Sequence, residues 1–530
     1  MSSGGEGAVY IPRGRGLARR PSAEAVEAAD ARPPPPPRVA STPLAAAAAA
    51  ACSARSPGDP STPAPPATPD LLRARERGRG GRPARGGFTP AQRAYLATTG
   101  VGAPAAPVAV VDAARSRAYV GHFTASGRLF VAAYQADRVI RVRDASCPTA
   151  ASWPLLKNVA CRLLRWTVTE VSVSDDDAHL AYSSISPIVH VVPLDRGGVV
   201  HSVANVTEAH EPLSLDRVAG AHPDARLAPF GVWSLKWAPG ASPTTLLAGT
   251  GGGGGVGHAL LADAASGRAL ARVPAGDDDV NAVAWLDAGG RVFACGGDDN
   301  VVRVFDSRAL RRDTGPAGFT GATDADAAAT VSAAPVMALE GHLAGVTFLD
   351  ARLDGVHLLS NSKDQTAKLW DCRAPATPSR RRALPVPRVD FDYRWQAWPR
   401  AARGLAHPRD ASMATFTGHA VLSTLIRARL SPAAAGGAHV YAGSADGVVR
   451  VWDLVSGVET RALRHHGDVV RDASWHPTEP GVMVTSSFDG SCVRWGAAGE
   501  SKGGRVRTAA GADPGPAAGG GGGQGDDWMF

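Results

Sequence analysis

Three short stretches alternate apolar and polar residues with a period of two: Val301-Val302-Arg303-Val304-Phe305, Ala367-Lys368-Leu369-Trp370 and Val448-Val449-Arg450-Val451-Trp452. Each follows a turn rich in Gly, Asp or Asn. The alternation predicts strands that leave tight hairpins and bury one face. The three stretches are versions of one unit, so the question of repeats comes before that of the fold.

One unit runs from Gly341-His342 through Val346-Thr347-Phe348, Leu358-Leu359-Ser360 and Lys363-Asp364-Gln365 to Trp370-Asp371. A second runs from Gly418-His419 through Ala445-Asp446-Gly447 to Trp452-Asp453. A third runs from His466 through Trp475-His476-Pro477 and Phe488-Asp489-Gly490 to Trp495, where Gly496 replaces the Asp. A fourth runs from Asp279-Val280 through Trp285 to Phe305-Asp306. Three degenerate copies precede them, at 118–144, 166–194 and 233–270, the last interrupted by glycines between Gly249 and Gly255. The unit resembles the WD repeat, which builds a four-stranded propeller blade. The expected fold is therefore all-β: a seven-bladed WD-repeat β-propeller over 105–496. An inter-blade insertion is expected at about 374–416, and Val108–Val111 is the candidate closure strand.

His342, Asp364 and Trp370 are expected to tie loop, turn and third strand together through buried hydrogen bonds. So are His419, Asp446 and Trp452, and His466, Asp489 and Trp495. These residues are assigned to structure, and no catalytic residue is expected.

Outside the repeats the composition changes. Residues 1–100 are low-complexity, with Pro33 to Pro37, an alanine run and an arginine-glycine segment from Arg73 to Arg85. Residues 497–530 are glycine-rich. Such segments bury too little apolar surface to offset chain entropy, so both are expected to be disordered tails. The net charge of +7 also resides in the first tail, which carries 14 Arg against 7 acids and leaves 42 basic and 42 acidic groups elsewhere. Nucleic-acid binding is accordingly not expected of the ring, and for the arginine-glycine arm nuclear import, RNA contact and a solvated tail with no such role stay open.

The chain contains no GxxxxGK[ST], HExxH, GxSxG or strand-to-helix GxGxxG motif, so no cofactor is expected. The six cysteines show no CxxC and no metal-ligand spacing, and no metal is expected. No apolar run is long enough to span a membrane, and the first twenty residues lack the apolar core of a secretory signal. Together these favour a reducing setting, nucleus and cytoplasm.

Two units end in an extended box: Trp370-Asp371-Cys372-Arg373, and Phe305-Asp306-Ser307-Arg308. The box resembles the WDxR signature of WD-repeat substrate receptors of cullin-4 RING ubiquitin ligases. That resemblance implies a noncatalytic receptor whose Arg308 and Arg373, with Asp306 and Asp371 setting their loops, contact the damaged-DNA-binding adaptor. Cullin-4 would be met only indirectly, and the protein substrate is unknown. The alternative is a WD-repeat scaffold of a chromatin or RNA-processing complex. Several stretches, among them Val470-Arg471-Asp472-Ala473-Ser474-Trp475-His476-Pro477 and Asp392-Tyr393-Arg394-Trp395-Gln396, are similar to damaged-DNA-binding-protein and cullin-4-associated factor eleven and its plant relatives. Asp392, Tyr393, Arg394 and Trp395 lie in the insertion. They are read either as an aromatic anchor on the ring or as part of a partner surface.

Overall fold

Seven four-stranded antiparallel sheets succeed one another along the chain. They come from a computed structural model that describes residues 103–164, 166–194, 210–215, 230–240, 244–251, 255–312, 331–332, 334–373 and 385–497. Both tails expected to be disordered lie outside the described residues, apart from the stretch next to the ring. Five sheets are built from consecutive strands: blade 1 (118–160), blade 2 (170–214), blade 3 (232–276), blade 5 (346–417) and blade 6 (428–464); blade 4 (282–339) takes its outer strand, Met337–Leu339, after a separate pair formed by Arg311–Arg312 and Val331–Ser332. Blade 7 combines Val470–Trp475, Met483–Ser487 and Ser491–Gly496 with Ala106–Ala113, which pairs antiparallel along Ser491–Gly496. The expected closure strand is thus present and longer than the four residues that marked it.

From blade 2 through blade 7 and on to blade 1, the first strand of a blade lies beside the first strand of the next, so these strands surround the central channel. Both faces of a blade are covered by its neighbours. This is why the third strand Thr366–Asp371 has a buried centre rather than a clean alternation, and why even Lys368 is 5% exposed. The large side chains between blades include Trp370, Trp452, Trp495, Phe293 and Phe305, all fully buried. Phe305, which replaces the usual Trp, stacks on Phe293 at 5.4 Å between ring centroids.

The glycine-loaded third repeat forms a regular four-stranded blade. A side chain on Gly257 would collide with the backbone carbonyl of Asp278, and one on Gly249 would press on that of Val280. These glycines let blade 4 pack closely against blade 3.

The insertion differs from expectation. Its end, Ala414–Thr417, is the outer strand of blade 5 and pairs with Thr366–Leu369. The excursion therefore lies within a blade, between its third and fourth strands, and not between blades. Residues 374–384 of it are outside the described residues.

Candidate functional site

Asp306 and Asp371 end the third strands of blades 4 and 5, and the next two residues turn sharply. In blade 4 the Asp306 carboxylate accepts from the Arg308 backbone N–H at 2.9 Å, from Nε at 2.9 Å and from Nη2 at 2.6 Å. In blade 5 the Asp371 carboxylate accepts from the Arg373 backbone N–H at 2.9 Å, from Nε at 3.0 Å and from Nη2 at 3.0 Å. The two forks are copies of one geometry, in which a carboxylate clamps the side of a guanidinium and fixes its plane. Both arginine side chains stay at the surface, 64% and 50% exposed. The bonds from Arg308 hold the Asp306 carboxyl below its ordinary range. Burial pushes the Asp371 carboxyl up, but the bonds from Arg373 outweigh it and the net shift is downward.

The forks stand on a shared base. Asp306 pairs with Val292 and Asp371 with His357, next to the turns that join the first two strands of their blades. Those two turns are bonded across the blade boundary: Ala288 N–H donates to Leu353 C=O at 3.2 Å and Gly355 N–H to Leu286 C=O at 2.8 Å. Leu353, in the left-handed region with φ 59°, is 42% exposed beside this seam. Two clamped guanidiniums on adjacent blades can bind carbonyls or carboxylates of a partner surface.

The expected buried networks form in two of the three blades named. In blade 5 Trp370 Nε1 donates to Ser360 Oγ at 2.7 Å, Ser360 Oγ lies 2.6 Å from His342 Nε2, and His342 Nδ1 lies 3.0 Å from Asp364 Oδ2. An indole that only donates and a carboxylate that only accepts fix the direction, so Nδ1 carries the proton and Nε2 accepts from the serine. In blade 7 Trp495, Thr485, His466 and Asp489 repeat the relay at 2.8, 2.6 and 2.8 Å.

Blade 6 departs from this. Its His419 Nε2 turns to Asn361 Oδ1 of blade 5 at 2.8 Å, and Trp452 Nε1 donates to Thr417 C=O. Asp446 is taken by Arg450 four residues on. The physical reason is Ala442, which occupies the position in the second strand that Ser360 and Thr485 fill with a hydroxyl.

On the opposite face, where the first strands begin, the insertion reaches the mouth of the channel. Ser423 N–H donates to Tyr393 C=O at 2.8 Å, and Lys363 Nζ lies 4.3 Å from the centre of the Tyr393 ring. Burial pushes the Tyr393 phenol up. Arg394 pairs with Asp392 at 3.1 Å, and both face solvent with Trp395, which is 58% exposed. Tyr393 is therefore the anchor, while Arg394 and Trp395 are displayed. Beside them is a cavity of about 440 Å³ whose walls include Tyr119, Trp166, Trp233 and Phe488.

Comparison with known proteins decides the family. Residues 268–306, 333–371, 411–453 and 457–496 match the WD domain, G-beta repeat family. The chain is 38% identical over 389 residues, 73% of both chains, to the LEC14B homolog of Prunus armeniaca. It is 37% identical over 387 residues to the LEC14B protein of Lithospermum erythrorhizon, covering 73% of this chain and 74% of that one. The chain is a WD-repeat protein of the LEC14B family. A second group of relatives includes the DDB1- and CUL4-associated factor 11 homolog of Caenorhabditis elegans, 41% identical over 227 residues, which are 42% of this chain and 36% of that one.

Each WD repeat of this LEC14B-family chain begins with the outer strand of one blade and ends with the third strand of the next, so neighbouring blades interlock. Two features of the ring escape reading by repeats. One is the charge inside the channel: Arg427 bonds both Glu170 and Asp472, at 3.0 and 2.9 Å, and Arg429 bonds Asp472 at 3.0 Å. Burial opposes the Asp472 charge, but Arg429 and Arg427 hold its carboxyl far below the usual range. The other is the aromatic mouth. Its signal in the sequence is an aromatic near the start of a first strand, as at Tyr119 and Trp233, which a repeat alignment treats as ordinary core. Among the described residues no group of three or more His, Cys, Asp or Glu is placed to hold a metal ion. No described helix is long and apolar enough to cross a membrane.

Proposed function

We propose that this protein is a noncatalytic substrate receptor that docks on DDB1 and presents a bound protein to a cullin-4 ubiquitin ligase. The observation that carries the reading is the pair of matched Arg-Asp forks on adjacent blades, standing on one hydrogen-bonded base. Docking surfaces concentrate their energy in a few clamped, desolvated side chains, and arginine is prominent among them. The relatives named DDB1- and CUL4-associated factor 11 homolog support the same partner. In this reading the ring contributes proximity, and the ligase supplies the chemistry.

The test is co-precipitation from cells. Wild type should recover DDB1 and cullin-4, and Arg308→Ala/Arg373→Ala should recover at least about tenfold less of both, as loss of two interface anchors of about 1 kcal/mol each entails. If wild type recovers neither, the receptor reading is lost and a scaffold in another complex takes its place. If the double variant recovers both at the wild-type level, the forks are not the contact.

A further inference from the structure

On the face away from the forks, Tyr119, Trp166, Tyr393 and Phe488 line the cavity of about 440 Å³ at the channel mouth. Tyr119 stacks on Phe488 at 6.1 Å and stands edge-on to Trp166 at 5.7 Å. Aromatic walls of this kind ordinarily take a cation on their faces. Here the chain's own cations already cover three of the rings: Arg117 lies 5.1 Å from the centre of Phe488, Lys363 4.3 Å from that of Tyr393 and Arg471 3.8 Å from that of Tyr119. A cationic guest would have to displace them.

The charges at the mouth do not balance. Lys363 is neutralised by Asp298 at 2.6 Å, and Arg394 by Asp392 at 3.1 Å. Arg471 is buried, donates to the Tyr119 carbonyl and leaves its Nε without a partner. Arg117 is exposed at the rim, and among the described residues it has no acidic partner. Nor does any carboxylate among the described residues line the cavity. An anionic group seated there would meet a positive charge still open to it.

The apolar surface continues past the cavity. Trp166, in its wall, is held in the left-handed region at φ 73° and is 40% exposed. Trp395, which follows Arg394 at the rim, is 58% exposed. Two exposed indoles, one inside and one beyond the cavity, suit a polypeptide better than a compact metabolite. We infer that the mouth binds an acidic segment of another protein, with an Asp or Glu carboxylate against Arg117 and a neighbouring aromatic or aliphatic side chain against Trp166. Single-stranded nucleic acid could stack on the same rings, but it needs a groove of cations that follows its backbone. Arg117 alone does not make one.

The inference deepens the receptor reading and rests on it for its purpose: the acidic segment would be the feature by which a protein is selected for ubiquitin transfer. Binding at the mouth needs neither DDB1 nor cullin-4, so the two proposals fail separately.

The test pans a phage-displayed library of random dodecapeptides on the immobilised full-length chain. The enriched peptides are then synthesised with fluorescein and their affinity is read by anisotropy. They should set Asp or Glu beside Trp, Phe, Tyr or Leu. Arg117→Glu should bind them at least roughly tenfold more weakly than wild type, because it brings like charges together, and Trp166→Ala severalfold more weakly. Arg117 is exposed, so its reversal should leave the melting temperature unchanged, and Arg308→Ala/Arg373→Ala should bind as wild type does. Failure to enrich any peptide overturns the inference, as does enrichment of basic sequences. Peptides that bind Arg117→Glu as tightly as wild type also overturn it, because they are then seated elsewhere. A labelled oligouridine that binds wild type and is lost in Arg117→Glu, where no peptide is enriched, would overturn it in favour of nucleic acid.

Discussion

Lys368 Nζ lies 2.7 Å from Asp410, so the third strand of blade 5 holds the returning limb of the long insertion. The lysine is 5% exposed and also donates to Thr415 at 3.0 Å. Lys368→Met removes the cation and leaves Asp410 short of its partner. It should cost about 1–3 kcal/mol, the range for a hydrogen bond to a charged group. Hydrogen exchange should quicken in the insertion before it does in the ring. A variant with unchanged melting and unchanged exchange would show that the insertion is held by other contacts.

The relays give a contrast between two aspartates that mark the same position in their repeats. Asp364 is buried and takes the proton-bearing side of His342, and although burial pushes its carboxyl up, the net effect of its partners is to bring it down to about 2. Asp446 pairs instead with Arg450, and its side chain is 42% exposed. Asp364→Ala should therefore destabilise by about 3 kcal/mol, while Asp446→Ala should cost under about 1 kcal/mol. Urea denaturation of the two variants decides it, and equal costs would contradict the geometry.

Folding and docking should separate at the forks. Asp371→Asn keeps the shape of the side chain but removes the charge that clamps Arg373. The pair is exposed on its arginine side, so stability should change by less than about 1 kcal/mol. DDB1 capture should fall severalfold all the same, because a released arginine must be ordered again when it binds. Loss of capture with a matching loss of melting temperature would mean that the variant damages the blade instead.

His419 makes stability depend on pH. Burial, reinforced by Arg450, holds its imidazole down at about 4 in the folded chain against an ordinary 6.5. The unfolded chain then binds the extra proton first. The stabilisation is complete above pH 6.5 and is lost as the pH falls from there toward 4. Thermal melts between pH 7.5 and 4.5 should show this decline, and His419→Gln, which keeps a donor for Asn361, should make it shallower. An identical slope in the variant would assign the effect to other buried histidines.

The repeat was legible because its marked residues recur at fixed places in the three copies that end at Trp370, Trp452 and Trp495: the His, the turn aspartate and the strand-ending Trp. The forks were legible as residues but not as geometry, since nothing in Asp-Cys-Arg announces that the guanidinium folds back on its own strand. The blade 6 relay misled for a definite reason. His419, Asp446 and Trp452 stand at the right spacing, but the hydroxyl between them is supplied by a separate strand, and there the chain has Ala442. The insertion misled because its outer strand, Ala414–Thr417, is short and far along the chain from the strand it pairs with. The aromatic mouth draws on four blades and the insertion, so no window of sequence contains it.

The closure of blade 7 has a consequence for how the protein is made. Ala106–Ala113 is synthesised before any blade, yet its partner Ser491–Gly496 emerges last of the described strands. Throughout translation that first strand presents an unpaired edge, the kind of surface that recruits other chains. The ring cannot close until its final strand leaves the ribosome, so the early strand waits longest for its place and depends most on whatever shields nascent chains.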